Sequence, residues 1–452
     1  MFKRKAYDKL LTWKSGSGKS ALLIEGARRV GKSTLVESFG KKEYAVCVTI
    51  DFSVVDPAVK ELFVNYRNDL ETFFFYLSTF LETQFITRDT LIIFDEVQFF
   101  PTARAFIKQL VADGRYDYME TGSLISIKHN VKDILIPSEE DSMRLNPLDY
   151  EEFLWALSRE QLAEAARRSF NRLEPLPEAI HRELMRLFRE YLLVGGMPQA
   201  VDAYVTTSSM EAADAEKRRI LKLYREDIAK YTNGDEGKVL QIFESIPVYL
   251  SKPEKRFILA TLDDTARTRS YHNAFYWLGD AFMVNNCYNS TDPHVGLALN
   301  AKANTRKCYM ADTGLLVSHV FADQEQTPNQ VYKDILFGNI GLNEGMLVEN
   351  MVAQQLISSG HRLFFYSNND RNDAQQRMEV DFLITRGYEN AAMKPRICPI
   401  EAKSTTRYGV KSLDKFKAKF GKRVGTQFIL HPKPLIKQGD RVYLPLYMAG
   451  FL

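Results

Sequence analysis

In the first third of the 452-residue chain, short apolar runs alternate with segments whose apolar residues recur at helical spacing. ALLIE (21–25), TLIIFD (90–95) and YDYME (116–120) are runs of strand length. The segment STLVESFG (33–40) instead places its apolar residues on one helix face and ends in a glycine, a common helix stop. Runs of these two kinds are typical of buried strands and the helices that pack on them. The pattern predicts an α/β domain.

The middle of the chain is predicted to be mostly helical. Segment 159–235 carries two long amphipathic patterns, HRELMRLFREYLLVGG and MEAADAEKRRILKLYREDIAKY. From 236 to about 312, three helical segments precede two strands, VNNCYNS and RKCYMADTGLL, in the order of a winged helix. The basic candidates for DNA contact are Arg267, Arg269 and His272 on the third helix and Lys302, Arg306 and Lys307 on the wing. A protein-interaction module is the alternative.

The last third predicts the order helix, strand, strand, strand, helix, strand. The helix is EGMLVENMVAQQLISSG, and the first three strands are HRLFFYS, MEVDFLIT and ICPIEAKST. A basic helix, SLDKFKAKFGKR, and the strand GTQFILHP follow. The predicted domains are 1–158, 159–235, 236–330 and 331–452.

Composition fits an ordinary globular protein, with 45% hydrophobic and 26% charged residues. The four cysteines are too scattered for a metal clip or a disulfide framework, so a cytoplasmic setting is expected. No signal peptide and no apolar run of about 18 residues is evident, so no membrane association is expected. Residues 401–452 hold eleven Lys/Arg and three Asp/Glu. This basic tail suggests a polyanion partner, with solvated surface lysines as the alternative.

Two Gly-Lys-Ser triplets compete as a phosphate-binding loop, which requires Gly-x4-Gly-Lys-Ser/Thr between a strand and a helix. Gly18-Lys19-Ser20 has Trp13 where the first glycine belongs, whereas the second triplet fits throughout. Lys32 would reach the β- and γ-phosphates of ATP, and the Ser33 hydroxyl would ligate Mg²⁺. The predicted nucleotide contacts are Gly26, Ala27, Arg28, Arg29, Val30, Gly31, Lys32, Ser33 and Thr34.

An acidic pair follows the buried strand about sixty residues later. Asp95 is predicted to hold the Mg²⁺ and Glu96 to polarise the attacking water. Thr121 or Ser123, after the next strand, could sense the γ-phosphate. Arg144 is a candidate cation for a phosphate or for a neighbouring subunit's site, and a surface arginine is the alternative.

LLIEGARRVGKSTL, LIIFDEVQ, METGS, RLNPLDYEEF and LLVGGMPQAV together resemble the prokaryotic AAA-type ATPases with a fused C-terminal domain of uncharacterised function. The resemblance implies a parallel sheet of order 5-1-4-3-2, a helical segment, a winged helix and a restriction-endonuclease-like α/β domain. Since AAA-type ATPases often form rings, a homo-oligomer is one alternative.

The last domain carries a second constellation. Glu401 and Lys403 share a strand face because they are two residues apart, and Asp381 lies on the preceding strand. Asp-x19-Glu-x-Lys and the order of elements resemble the PD-(D/E)XK nucleases. Asp381, Glu401 and Glu349 are the predicted metal ligands, and Lys403 would position the attacking water. Uncompensated charges in buried strands are costly, which favours a metal or phosphate partner. A degenerate domain kept as a binding surface or an ion-pair network is the alternative.

The sequence therefore predicts an ATPase with ATP and Mg²⁺ as cofactors, whose nucleotide state governs a DNA-handling C-terminal half, plausibly a Mg²⁺-dependent nuclease. Two competitors remain. One is an ATP-dependent switch that acts through protein partners, and the other is an ATPase whose last domain only grips DNA.

Overall fold

The computed structural model divides into two compact units, Met1–Asn146 and Pro147–Leu452. It describes residues 1–16, 19–122, 139–232, 234–257, 268–324, 327–336, 343–369, 376–387 and 394–452. In these ranges no helix combines the length and apolar character that crossing a membrane requires.

The first unit is built on a five-stranded sheet. Its strands are β1 (Ala21–Glu25), β2 (Val46–Asp51), β3 (Thr90–Asp95), β4 (Asp117–Thr121) and β5 (Glu140–Arg144). They lie in the order β2-β3-β4-β1-β5, and every neighbouring pair is parallel. The predicted order 5-1-4-3-2 is confirmed. All residues of β3 and β4 are buried, as expected for central strands of a parallel sheet.

Five helices surround this sheet among the described residues: α1 (Ala6–Ser15), α2 (Lys32–Glu43), α3 (Pro57–Asn65), α4 (Leu70–Phe80) and α5 (Pro101–Asp113). An aromatic core joins α3, α4 and α5 to the sheet. Within it, Phe63 lies edge-on to Phe73, Phe94 and Phe106 with ring centroids 5.0 to 6.0 Å apart. Edge-on pairs of this kind add to the stabilisation that burial of the rings provides.

The second unit begins with helices, as the sequence predicts for segment 159–235. They are α6 (Tyr150–Ala156), α7 (Glu160–Arg172), α8 (Glu178–Val194), α9 (Pro198–Thr207), α10 (Met210–Tyr231) and α11 (Glu236–Ser251). Later helices are α12 (Thr268–Asp280), α13 (Thr313–Val320), α14 (Asn329–Leu336), α15 (Glu344–Ser358) and α16 (Lys411–Phe420).

The glycine pair of LLVGGMPQAV is explained by close packing after α8. The Gly196 amide donates a hydrogen bond to Asp312 Oδ2 at 2.6 Å. A Cβ at Gly195 would lie 2.2 Å from Asp312 Oδ1, and one at Gly196 would lie 2.0 Å from the carbonyl oxygen of Leu148. Neither position has room for a side chain, so the pair has a structural role.

An eight-stranded mixed sheet forms the rest of the second unit. Its strands are β6 (Val284–Ser290), β7 (Ala301–Met310), β8 (Phe364–Asn368), β9 (Met378–Arg386), β10 (Arg396–Ala402), β11 (Gln427–His431), β12 (Ile436–Gln438) and β13 (Arg441–Pro445). They lie in the order β12-β13-β11-β10-β9-β8-β6-β7. The predicted order of helix, three strands, helix and strand is present as α15, β8, β9, β10, α16 and β11.

The two strands predicted to form a wing are instead the edge of this large sheet. β6 and β7 form an antiparallel hairpin, but β6 also pairs in parallel with β8. The predicted boundary at 330/331 therefore crosses a continuous sheet. A strand pattern in the sequence predicts that neighbouring strands pair as a hairpin. Which other strand the hairpin joins depends on tertiary contacts.

Candidate functional site

The loop between β1 and α2 has the geometry that the second Gly-Lys-Ser triplet predicts. Gly31 caps α2 with φ 94° and ψ 27°, a left-handed conformation that favours glycine. A Cβ at Gly26 would lie 2.4 Å from the carbonyl oxygen of Leu145. The two glycines allow the tight loop that joins the end of β1 to the N-terminus of α2. At a helix N-terminus the backbone amides and the helix dipole favour an anion.

The first triplet lies on the wrong side of β1. Lys19 is exposed, and the Ser20 hydroxyl donates a hydrogen bond to Asp141 Oδ2 at 2.6 Å. A strand follows these residues, so no helix N-terminus is available there, and Gly18 lies outside the described residues.

Lys32 lies against the loop that it would serve. Its Nζ donates to the carbonyl oxygens of Gly26 and Ala27 at 3.0 and 3.1 Å. Ala27 and Val30 are buried and anchor the loop, whereas Arg28, Arg29 and Thr34 are exposed.

Three polar side chains converge at the carboxyl edge of the first sheet. The Ser33 hydroxyl donates to Asp95 Oδ1 at 2.9 Å, and the Thr121 hydroxyl donates to the same oxygen. Asp95 ends β3 and Thr121 ends β4, so parallel pairing of these strands places both side chains at one edge. A serine hydroxyl beside a carboxylate oxygen fits the oxygen ligands that Mg²⁺ prefers. Ser123, the alternative to Thr121, lies outside the described residues.

Glu96 has a left-handed backbone, with φ 51° and ψ 45°. This conformation costs a non-glycine residue about 1–2 kcal/mol, a strain that is common at functional sites. The half-buried carboxylate accepts a hydrogen bond from Gln98 Nε2. Gln98 is 4% exposed and was not among the predicted site residues. The sequence signal for it is a glutamine between two apolar residues, Val97 and Phe99, two positions after Glu96.

Arg144 ends β5 and is aligned with Glu25 across the sheet. Burial lowers the pKa of Arg144 to about 10, and the carboxylate of Glu25 opposes this shift. Arg144 is half-buried, so it is neither fully solvated nor fully enclosed.

In the second unit, Asp381, Glu401 and Lys403 come together on adjacent strands. Ile400 is paired with Phe382, which places Asp381 opposite Glu401. Asp381 Oδ2 accepts a hydrogen bond from the Ala402 amide at 2.9 Å. Lys403 forms an ion pair with Glu401 Oε2.

Glu349 is engaged differently from the prediction. Its Oε1 lies 3.0 Å from Lys307 Nζ and accepts a hydrogen bond from the Tyr309 hydroxyl. Its Oε2 is paired with Lys255. Although burial would raise the pKa of Glu349, Lys307 and Lys255 lower it to about 2. The assignment of Glu349 as a metal ligand is not supported, because the protein's own cations occupy its carboxylate.

Lys307 also compensates the buried negative charge for which a metal or phosphate partner was expected. It is 1% exposed and bridges Glu349 to Glu379, whose Oε1 lies 2.8 Å away. The chain itself therefore supplies much of the countercharge that was expected from a metal or phosphate. The sequence signal for this cluster is a lysine and a tyrosine two residues apart in RKCYM, Lys307 and Tyr309. Two residues apart on a strand, they share one face.

Glu401 retains the features of a cation ligand. It is 2% exposed, and its Oε1 has no hydrogen-bond partner among the described residues. Burial raises the pKa of Glu401 to about 7, with Asp381 adding to the shift and Lys403 opposing it. Two carboxylates and an unpaired buried oxygen fit one divalent ion. However, no group of three or more His, Cys, Asp or Glu side chains within the described ranges is placed to hold a metal.

The basic residues predicted to contact DNA from the wing are partly buried. Arg306 is 2% exposed, and its guanidinium lies 4.7 Å from the ring centroid of Phe275 and 5.4 Å from that of Tyr288. Arg306 and Lys307 are thus structural cations, and Lys302 remains exposed. The His272 ring lies 3.2 Å from Arg306 Nη2. Arg267 lies outside the described residues.

The strand order, the loop before α2 and the Ser33–Asp95 contact define the first unit as a P-loop NTPase domain. Residues 18–154 match the family model described as AAA domain, so this unit is an AAA-type P-loop ATPase domain. Residues 185–326 and 344–447 match two domains of unknown function, DUF8612 and DUF4143. No curated protein matches the sequence.

Solved structures similar to the chain include the Walker-type ATPase of Pyrococcus abyssi, which is 15% identical in sequence. The match covers 71% of this chain and 96% of that chain, with a TM-score of 0.41. The Orc1 protein of Aeropyrum pernix in complex with DNA has 11% identity, 72% and 93% coverage and a TM-score of 0.25. The RuvB Holliday junction branch migration motor of Thermotoga maritima has 11% identity, 63% and 89% coverage and a TM-score of 0.26. Similarities this distant add nothing to the assignment.

Proposed function

We propose that the first unit binds ATP with Mg²⁺ and hydrolyses it. The observation that carries this proposal is the convergence of Ser33 and Thr121 on one oxygen of Asp95, beside the N-terminus of α2. Lys32 would exchange its contacts with the loop carbonyls for the β- and γ-phosphates.

Each residue then has a separate task in the reaction. Ser33 and Asp95 would hold the Mg²⁺, which neutralises charge that develops on the phosphates. Glu96 would orient the attacking water and accept its proton, and Gln98 holds that carboxylate in position. Thr121 would report the presence of the γ-phosphate.

Phosphate release by the full chain tests the proposal. We expect ATP hydrolysis that requires Mg²⁺ and stops when the ion is chelated. A purified chain that binds no ATP in the presence of Mg²⁺ would contradict the proposal.

A second function, Mg²⁺-dependent cleavage of DNA, is favoured by Glu401 Oε1. This buried oxygen has no partner in the described part of the chain and lies on the strand that is paired with the strand of Asp381. Asp381 and Glu401 would hold one ion, and Lys403 would position the attacking water. The occupied carboxylate of Glu349 argues for one metal rather than two.

Linear, nicked and single-stranded DNA, each with and without ATP and Mg²⁺, distinguish the candidates. Metal-dependent cleavage supports the nuclease, whereas binding without cleavage that weakens steeply with salt supports a domain that only grips DNA. If the chain neither cleaves nor binds DNA, the ATP-dependent switch is favoured.

A further inference from the structure

A cavity of about 820 Å³ lies in the second unit, where β9 ends and β10 and β11 begin. Its lining includes Arg386, Lys394, Arg396, Cys398, Phe428 and Lys437. The volume is within the range of roughly 300–1,000 Å³ that is usual for sites of small ligands.

This cavity is separate from the Asp381–Glu401 pair. Arg396 and Cys398 lie on one face of β10, and Glu401 lies on the other because strand side chains alternate. Glu401 is five residue steps along the strand from Arg396, which corresponds to about 16 Å. A ligand in the cavity would therefore not contact the candidate metal ligands.

The cavity carries an excess of positive charge. Four of its lining residues are cations, and within the described ranges none of them has a carboxylate oxygen within 4.0 Å. Asp440 is the one acidic lining residue in those ranges, and its carboxylate is paired with Lys417, outside the cavity. Three of the four cations, Arg386, Lys394 and Arg396, precede the basic tail 401–452, and only Lys437 belongs to it.

Two of the cations face each other directly. Arg386 and Arg396 are partners across the antiparallel β9–β10 pair. Like charges directly opposite in a sheet are destabilising, and an anion placed between them would reverse that effect.

Packing contacts the Arg386 guanidinium and the base of the Arg396 side chain, which is otherwise exposed. The Arg386 guanidinium lies 5.7 Å from the centroid of the Phe428 ring. Gly425 packs so closely on Arg396 that an added Cβ would lie 3.0 Å from Arg396 Cβ. The Arg386 guanidinium is therefore held against Phe428 before any ligand binds, which reduces the entropy cost of binding at that group.

We propose that this cavity is a second anion site and that it binds the phosphate groups of a small phosphorylated molecule. Two guanidinium groups supply planar paired donors that match phosphate oxygens, and two lysines add point charges. The half-open, concave shape has room for a compact di- or triphosphate. This inference is independent of the ATPase and nuclease proposals.

Calorimetry with inorganic tripolyphosphate tests the proposal. The full chain with Lys32→Ala is the parent protein, so that the loop before α2 does not contribute to binding. We expect Arg386→Gln/Arg396→Gln in this parent to weaken tripolyphosphate binding at least about ten-fold, since two paired donors are lost. Removing the opposed charges should leave the thermal midpoint equal or higher.

The matched control is Lys411→Gln/Lys422→Gln, which removes the same charge from exposed residues of the basic segment outside the cavity. Its affinity should stay within about two-fold of the parent. Should the arginine variant fail to fold, Lys394→Gln/Lys437→Gln provides the same comparison, because both lysines are exposed.

Three results would overturn the proposal. They are no heat of binding with the parent, equal losses in the cavity and control variants, and duplex DNA binding that depends on the two arginines while tripolyphosphate does not bind. The last result would make the surface a nucleic-acid contact.

Discussion

The ammonium of Lys307 lies 3.0 Å from Oε1 of Glu349, and both side chains are buried. Removing one partner of a buried ion pair leaves a charge without compensation, at a cost of about 3–5 kcal/mol. We therefore expect Lys307→Met to reduce the free energy of unfolding by about that amount, measured by denaturant titration.

The control for this variant is Lys302→Met on the same strand, where the side chain is exposed. Its effect should stay within about 0.5 kcal/mol. Equal stability of the two variants would show that Glu349 does not need Lys307.

Lys32→Ala should abolish ATP hydrolysis and greatly weaken nucleotide binding, because it removes the cation that faces the β- and γ-phosphates. Lys19→Ala should be nearly silent, since Lys19 is exposed and precedes β1. Phosphate release and nucleotide titration measure both effects. Comparable losses in the two variants would reverse the choice of triplet.

Glu96→Gln should retain bound ATP and stop its hydrolysis. The Ser33–Asp95 contact that would hold the Mg²⁺ does not involve Glu96, whereas the amide cannot accept a proton from water. Nucleotide affinity and turnover are measured on the same protein. A turnover rate near that of the native chain would mean that another residue activates the water.

In the second unit, Glu401→Ala should lose the heat of Mn²⁺ binding, whereas Lys403→Ala should retain it, because an ammonium does not ligate a metal. Both variants should lose DNA cleavage and keep ATPase activity, since the two sites lie in different units. If the native chain binds no Mn²⁺ without nucleotide, even with DNA present, the nuclease proposal fails.

The pH dependence of stability should reflect His431. Burial, together with Lys433 and His181, lowers the pKa of His431 to about 4, while the carbonyl oxygen of Pro434 opposes the shift. The unfolded chain, in which His431 has its ordinary pKa near 6.5, then binds more protons between pH 4 and 6.5. The contribution of His431 to stability is therefore present above pH 6.5 and is lost as the pH falls toward 4.

Comparing the native chain with His431→Gln isolates this contribution. The variant should lose part of the acid sensitivity, with a difference in slope of at most about 1.4 kcal/mol per pH unit. Identical slopes of the two proteins between pH 4 and 6.5, from denaturant titrations, would contradict the assignment.

Local sequence determined the phosphate loop and much of the order of elements. The glycines at 26 and 31, the apolar run before them and the amphipathic helix after them are features of neighbouring residues, and the structure has the same strand, loop and helix. Buried runs likewise predicted β3, β4 and the strands β8 to β11. β3 and β11 are recognisable because burial on both faces favours apolar residues in the strand interior, whereas β4 is buried although it contains Asp117 and Glu120.

Tertiary structure alone decided which charges meet. Lys307 is 42 residues from Glu349 and Lys255 is 94 residues from it, and their pairing depends on β7 and residue 255 packing beside α15. The edge position of the β6–β7 hairpin and the opposition of Arg386 and Arg396 depend on strand neighbours in the same way. Periodicity shows which face of an element is buried, but a charge is compensated by whatever lies closest in space, and that is set only when the sheet is assembled.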